Sequence, residues 1–186
     1  MPKYSPMNGW EKHYNISMKV ILYMAISVDG FIAKPDHETP WSDAEFESYS
    51  SKVKETGNLI MGKTTYDLML EENAFADLNE PFLVVLTSSE EKPTHENTVF
   101  VKDFQEALNI LEQKGFETAF VGGGGKLNSV ALESGLLEEI FVDVEPFIFG
   151  KGIPLFESTD IDLKLELIET KKIGDSGVQL HYKVLR

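Results

Sequence analysis

Apolar residues follow two rhythms along this chain. Short, almost unbroken apolar runs at residues 18–26 (MKVILYMAI), 58–61, 81–86 (PFLVVL) and 118–121 read as strands covered on both faces. Between them, apolar positions recur at the three-to-four-residue spacing of amphipathic helices. The first helix opens at Ser42, where Ser-x-x-Glu with Glu45 forms a capping box. It is expected to run to about residue 55, with Phe46, Tyr49 and Val53 inward and Gly57 at its end. A second covers 65–70, with Thr64 as its candidate cap. A third opens at Asp103, with Glu106 completing a box and Phe104, Ala107, Leu108 and Leu111 sharing a face. The fourth covers 126–132, with Leu127, Val130 and Ala131 together and Gly135 just beyond.

The rhythm then changes. Residues 99–101 suit a short edge strand. In 138–145, Ile140, Val142 and Val144 alternate with Phe141, Asp143 and Glu145, so one face carries two carboxyls. Residues 146–156 (PFIFGKGIPLF) are rich in turn formers. Two long strand patterns, 163–173 and 177–185, are joined by Gly174-Asp175-Ser176-Gly177, a hairpin signal. Alternating strand and helix followed by a hairpin predicts an α/β domain. Its sheet is mostly parallel, covered on both faces, with an antiparallel end. Residues 1–17 are polar and without period, and are expected to be an N-terminal extension to a single domain over 18–186.

Composition narrows the chemistry. The formal net charge is −14, which excludes nucleic acid as an expected partner because phosphate backbones need clustered cations. There is no cysteine, and His13, His37, His95 and His181 lie far apart, so no metal site is expected. No run of 18 apolar residues occurs, so no membrane span is expected and the cytoplasm is the expected compartment.

The densest chemical signal is FVGGGGKLN at 120–128. A buried strand passes through Gly122, Gly123, Gly124 and Gly125 into a helix that opens with Lys126 and Leu127. Free N–H groups and the helix dipole favour an anion at such a junction, and glycine lets a phosphate approach the backbone. Two more junctions carry similar groups: Gly62-Lys63-Thr64-Thr65 and Thr87-Ser88-Ser89. All three fall at strand C-termini, where open α/β sheets bind ligands. The pattern lacks a P-loop, a GxSxG elbow and the spaced glycines of GxGxxG, so NTP hydrolysis and covalent hydrolysis have no support. A dinucleotide cofactor fits, since hydride transfer asks the protein for positioning and one proton source. Glu45 has two readings, as half of the capping box or as a proton donor on a pocket wall shared with Tyr49. Asp143 either faces the same cleft or stands on a solvated sheet face, and Asp29 reads as a turn former.

These motifs together resemble the dihydrofolate reductase superfamily, and more closely the C-terminal reductase domain of bifunctional riboflavin-biosynthesis deaminase-reductases. The resemblance rests on AISVDGFIA (25–33), LIMGKTTYD (59–67), VVLTSS (84–89), FVGGGGKLN and PFIFGKGIPLF. It implies a dihydrofolate reductase-like three-layer sandwich, a homodimer and an NADPH-dependent reductase acting on a C=N or C=O of a small substrate. By motif, Ala25 and Ile32 would meet the nicotinamide, and Gly62, Lys63, Thr64 and Thr65 the phosphates. Thr87 and Ser88 would lie near the adenosine 2′-phosphate. Gly122 to Leu127 would hold the pyrophosphate, with a cis peptide between Gly122 and Gly123. Pro40-Trp41 followed by Glu45 is similar to the acid-bearing helix of folate reductases, and Met24 and Tyr49 stand on the substrate side. Riboflavin-pathway reductases usually carry a basic residue after the Asp-Gly pair and an arginine-bearing helix. Here Phe31 follows Gly30 and the only arginine is Arg186. Dihydrofolate reduction, or nucleotide binding without turnover, remain the alternatives.

Overall fold

A computed structural model describes residues 17–157 and 159–185. Apart from Ser17, the expected N-terminal extension lies outside the described residues. The chain order is β1 (Lys19–Ser27), β2 (Phe31–Ala33), α1 (Asp43–Thr56), β3 (Asn58–Gly62), α2 (Lys63–Glu71), α3 (Ala74–Asp77), β4 (Phe82–Leu86) and β5 (Thr98–Val101). It continues with α4 (Phe104–Gln113), β6 (Thr118–Val121), α5 (Gly125–Glu133), β7 (Glu139–Glu145), β8 (Ile153–Pro154), β9 (Leu165–Ile173) and β10 (Gly177–Val184).

The main sheet runs β5-β4-β3-β6-β1-β7-β10-β9. Every pairing from β5 through β7 is parallel, and β7-β10 and β10-β9 are antiparallel. The predicted edge strand is indeed at the edge, as β5. Alternation along β1 explains the layering. Ile21 and Tyr23 point to one face, where they meet Val53 of α1 and Tyr66 of α2. Val20 and Leu22 point to the other, where they meet Leu108 of α4 and Leu127 of α5. Each buried side chain of this size stabilises the fold by about 1.5–3 kcal/mol. Both sheet faces are therefore needed to hold the central strands.

Two expectations about helices change. Phe46 is 41% exposed, while Glu45 is 5% exposed and faces the sheet. The inward stripe of α1 follows the i, i+4 row of Glu45, Tyr49 and Val53, one step round from the row that starts at Phe46. Thr64 does not cap α2. The helix begins at Lys63, and its N-cap is Gly62 in extended conformation with no side-chain hydrogen bond.

Two distant motifs fold into one ribbon. β2 pairs with β8, and Asp29 accepts N–H bonds from Phe149 (3.1 Å) and Gly150 (2.7 Å) besides the Ser27 hydroxyl (2.7 Å). The turn-forming role read for Asp29 thus extends to clamping residues 146–152. Those bonds hold its carboxyl below the usual range, the Ser27 hydroxyl contributing most.

Candidate active site

The two glycine-bearing junctions meet at the C-terminal edge of the parallel strands. Gly62 N–H donates to the Gly123 carbonyl at 2.9 Å, so the starts of α2 and α5 lie side by side. Neither helix has a side-chain cap, whereas Ser42 caps α1 and Asp103 caps α4. First-turn N–H groups without intrahelical partners therefore concentrate at this turn.

Side chains press on the turn so closely that glycine is required. A Cβ on Gly122 would lie 2.5 Å from both Leu59 Cδ1 and Tyr49 Oη. Gly123 has φ +93°, and a Cβ there would lie 2.9 Å from the Met24 sulfur. Met24 and Tyr49 thus reach one turn from opposite faces of the sheet. At Gly124 a Cβ would meet Thr65 Oγ1 and Ile32 Cδ1 at ordinary contact, 3.6 and 3.8 Å. Gly125 lies under the Pro154 carbonyl of β8, and the Leu127 side chain is in the core, leaving only its backbone for the turn. Lys126 is exposed. The cis peptide is Gly123-Gly124, one residue beyond the expected place, and Gly122 N–H donates to Ile60 O (2.9 Å) as a continuation of the strand.

Further along this edge, Lys63 is held by both oxygens of Asp67 (2.7 and 2.8 Å), with Glu91 at 3.9 Å. The Asp67 contact raises its pKa above the usual lysine value. Thr87 Oγ1 accepts the Ser89 N–H (3.0 Å), while Ser88 is exposed.

On the other side, carboxyls gather. Ala25 of β1 pairs in register with Asp143 of β7, and Ser27 with Glu145. Asp143 is fully buried, so the solvated-face reading is corrected. Its two oxygens are taken by Tyr23 Oη (2.7 Å) and Gln179 Nε2 (2.8 Å), and Tyr23 Oη also lies 2.7 Å from Ser48 Oγ. Burial raises the Asp143 pKa, and these two bonds oppose the rise. Tyr23 is pushed up by burial and then by Asp143, and Tyr49 by burial.

The capping box at Glu45 is split between two acids. Ser42 Oγ does accept the Glu45 N–H (3.2 Å), but the reciprocal bond belongs to Glu145, whose Oε2 accepts the Ser42 N–H at 2.9 Å. A residue 103 positions away completes the box, and the Glu45 carboxyl turns inward. Burial first, then Asp143 and Glu145, push its pKa up to about 8. It is therefore mostly protonated at neutral pH.

Sequence reasoning did not find Tyr23, Ser48 or Gln179 as partners. The one signal available was period-two alternation, which puts Asp143 on an inward face without saying what it meets.

This arrangement defines a dihydrofolate reductase-like α/β protein: a main sheet of eight strands, parallel through β7, helices on both faces, and a glycine turn at the strand ends. The chain belongs to the RibD C-terminal domain family, whose model matches residues 18–179. It is 31% identical over 170 residues to the uncharacterized protein YwjB of Bacillus subtilis, covering 88% of this chain and 97% of that one. In structure it is similar to a putative riboflavin biosynthesis protein from Shewanella sp. PV-4, at 25% identity and TM-score 0.76, covering 91% and 100% of the two chains. A Thermotoga maritima diaminohydroxyphosphoribosylaminopyrimidine deaminase/5-amino-6-(5-phosphoribosylamino)uracil reductase shares the fold, at 18% identity and TM-score 0.71. That match covers 91% of this chain and 57% of the Thermotoga chain.

Proposed function

We propose that this chain is a nicotinamide-dependent reductase whose dinucleotide lies across the strand ends with its diphosphate on the glycine turn. One observation carries the reading. Two uncapped helices, α2 and α5, start side by side at a turn free of Cβ atoms, in a chain whose α1 and α4 are capped. An anion there accepts otherwise unpartnered N–H groups and meets two positive helix ends. The turn fits a diphosphate, because Gly124 is half-buried with only Thr65 Oγ1 and Ile32 Cδ1 within 4 Å of where a Cβ would stand.

The dinucleotide, when bound, supplies a hydride. Ala25 and Ile32 flank its reactive end, beside Asp143 in the sheet. Glu45, protonated at neutral pH, is the proton donor. Burial, with Asp143 and Glu145 adding to it, keeps the Glu45 proton in place, and Tyr23 and Gln179 fix Asp143. Gly62, Thr64 and Thr65 lie along the phosphates, Thr87 and Ser88 at the adenosine end, and Met24 and Tyr49 beside the turn. NADPH is the form the resemblance implies, and Lys63 then shares its charge between Asp67 and the 2′-phosphate. The substrate is a small molecule with a C=N or C=O, akin in reaction type to that of the Thermotoga reductase.

Calorimetric titration with NADPH and NADH tests the cofactor reading, which fails if neither binds. Reduced-nucleotide oxidation with 5-amino-6-(5-phosphoribosylamino)uracil, dihydrofolate and a panel of aldehydes and quinones tests turnover. Binding without oxidation of any of these favours a nucleotide-binding module.

A further inference from the structure

The outer strand β9 stands clear of both helix layers along most of its length. Its seven consecutive residues from Glu166 to Lys172 are all exposed, with Leu167 at 51% and Ile168 at 49%. The strand pairs only with β10 and ends the main sheet, so one side of a nine-residue backbone is left open among the described residues. The opposite edge is built differently, since β5 has four residues and none of them is exposed. A long open edge is a template for another strand, and edge charges ordinarily keep such strands away.

The charges of β9 are sorted by sign. Glu166 and Glu169 come first, and Lys171 and Lys172 follow. A parallel copy of this strand would set like charges side by side, whereas an antiparallel copy sets acids against lysines. The register with β10 decides which residues can meet. His181 pairs with Glu169 and Tyr182 with Leu167, so Ile168 has no counterpart and forms a bulge. Across that bulge Glu166 and Lys171 share one face of the sheet, that of their β10 partners Lys183 and Gln179. Leu167 and Thr170 share the other, with Tyr182 and Leu180. In an unbroken strand, residues an odd number apart point to opposite faces. The bulge therefore lets residues 165–167 of one copy face 170–172 of another with every side chain on a matching face.

We propose that β9 is the contact between two copies of this chain, paired antiparallel about a two-fold axis between Ile168 and Glu169. Glu166 then lies against the partner's Lys171, and Leu167 against the partner's Thr170. The two-fold makes each of these pairs twice and joins the two main sheets into one. Opposed side chains on antiparallel neighbours stand about 4.5–5.5 Å apart at Cβ, within reach of an ion pair. The contact does not rest on the reductase reading, since no residue of the glycine turn or the carboxyl cluster takes part.

Sedimentation equilibrium of the full chain is the test. The parent should dimerise with a Kd in the micromolar range or tighter. Glu166→Lys and Lys171→Glu each set like charges together twice, and each should weaken the dimer about tenfold or more. An equimolar mixture of the two variants should recover the parental Kd, because each chain then meets its opposite at both positions. Both substitutions in one chain should recover it too, and that chain decides the matter if a single variant fails to fold. A parent that stays monomeric, a single variant with the parental Kd, or no recovery in either the mixture or the double variant would each overturn the proposal. If no variant folds, a parental Kd unmoved by added salt overturns it. A monomer that binds NADPH loses only this contact. A dimer that passes and ignores both nucleotides loses only the reductase reading.

Discussion

The two sides of the strand edge are built from different materials. Around Gly122–Gly125 the working groups are backbone amides, and side chains matter by staying out of the way. Around Asp143 the working groups are carboxyls, a phenol and an amide, drawn from β1, α1, β7 and β10. Backbone amides carry their polarity wherever the chain turns. Buried carboxyls acquire their protonation state from neighbours, so the second side depends on packing in a way the first does not.

Glu45→Gln gives the widest separation between the sides. In the folded protein Glu45 holds its proton up to about pH 8, while unfolded it ionises near 4.5. Between those values unfolding releases a proton, so stability falls as pH rises, by up to about 1.4 kcal/mol per pH unit, and levels off above 8. Urea melts at pH 5 and pH 8 should show the wild type losing a few kcal/mol relative to the Gln variant. Parallel pH curves would remove Glu45 as a raised acid. Its role as proton donor further requires wild-type turnover to fall above about pH 8.

Gly122→Ala attacks the other side through sterics. Its Cβ would lie 2.5 Å from Leu59 Cδ1 and Tyr49 Oη, and overpacking of this kind costs about 1–3 kcal/mol. A melting temperature equal to wild type would mean the turn is looser than described. Tyr23→Phe leaves Asp143 Oδ2 without its donor in a buried place, a loss of about 1–2 kcal/mol read by denaturant unfolding.

Gly124→Ala sharpens the contrast because it should spare the fold. A Cβ there makes ordinary contacts and φ is −81°, yet it stands where the proposed diphosphate would lie. The expected outcome is an unchanged melt with NADPH binding weakened about tenfold, roughly 1.4 kcal/mol. Lys63→Ala should give the smallest effect. Because Asp67 already holds the ammonium, NADPH should weaken only several-fold and NADH less, and equal losses would show that Lys63 does not read the 2′-phosphate.

Much of the fold was legible because its signals are local. Apolar runs marked the central strands, Ser42 and Asp103 marked helix starts, and Gly174–Gly177 marked the hairpin. Errors came where two local rules competed. Phe46 obeyed hydrophobicity and Glu45 a capping rule, yet Glu45 faces inward, Phe46 is exposed, and Glu145 holds the capping bond. Thr64 lost its predicted role when Gly62, tied to Gly123, fixed the helix start.

By itself the sequence determined the order of elements and the glycine turn, since backbone conformation answers to neighbours a few residues away. The tertiary structure alone decided that Ala25, Glu45, Asp143 and Glu145 share one place and that Gln179 and Tyr23 hold Asp143. It also decided that Glu45 keeps its proton. Those facts depend on burial and on charges brought together across about a hundred residues, and no local pattern records either.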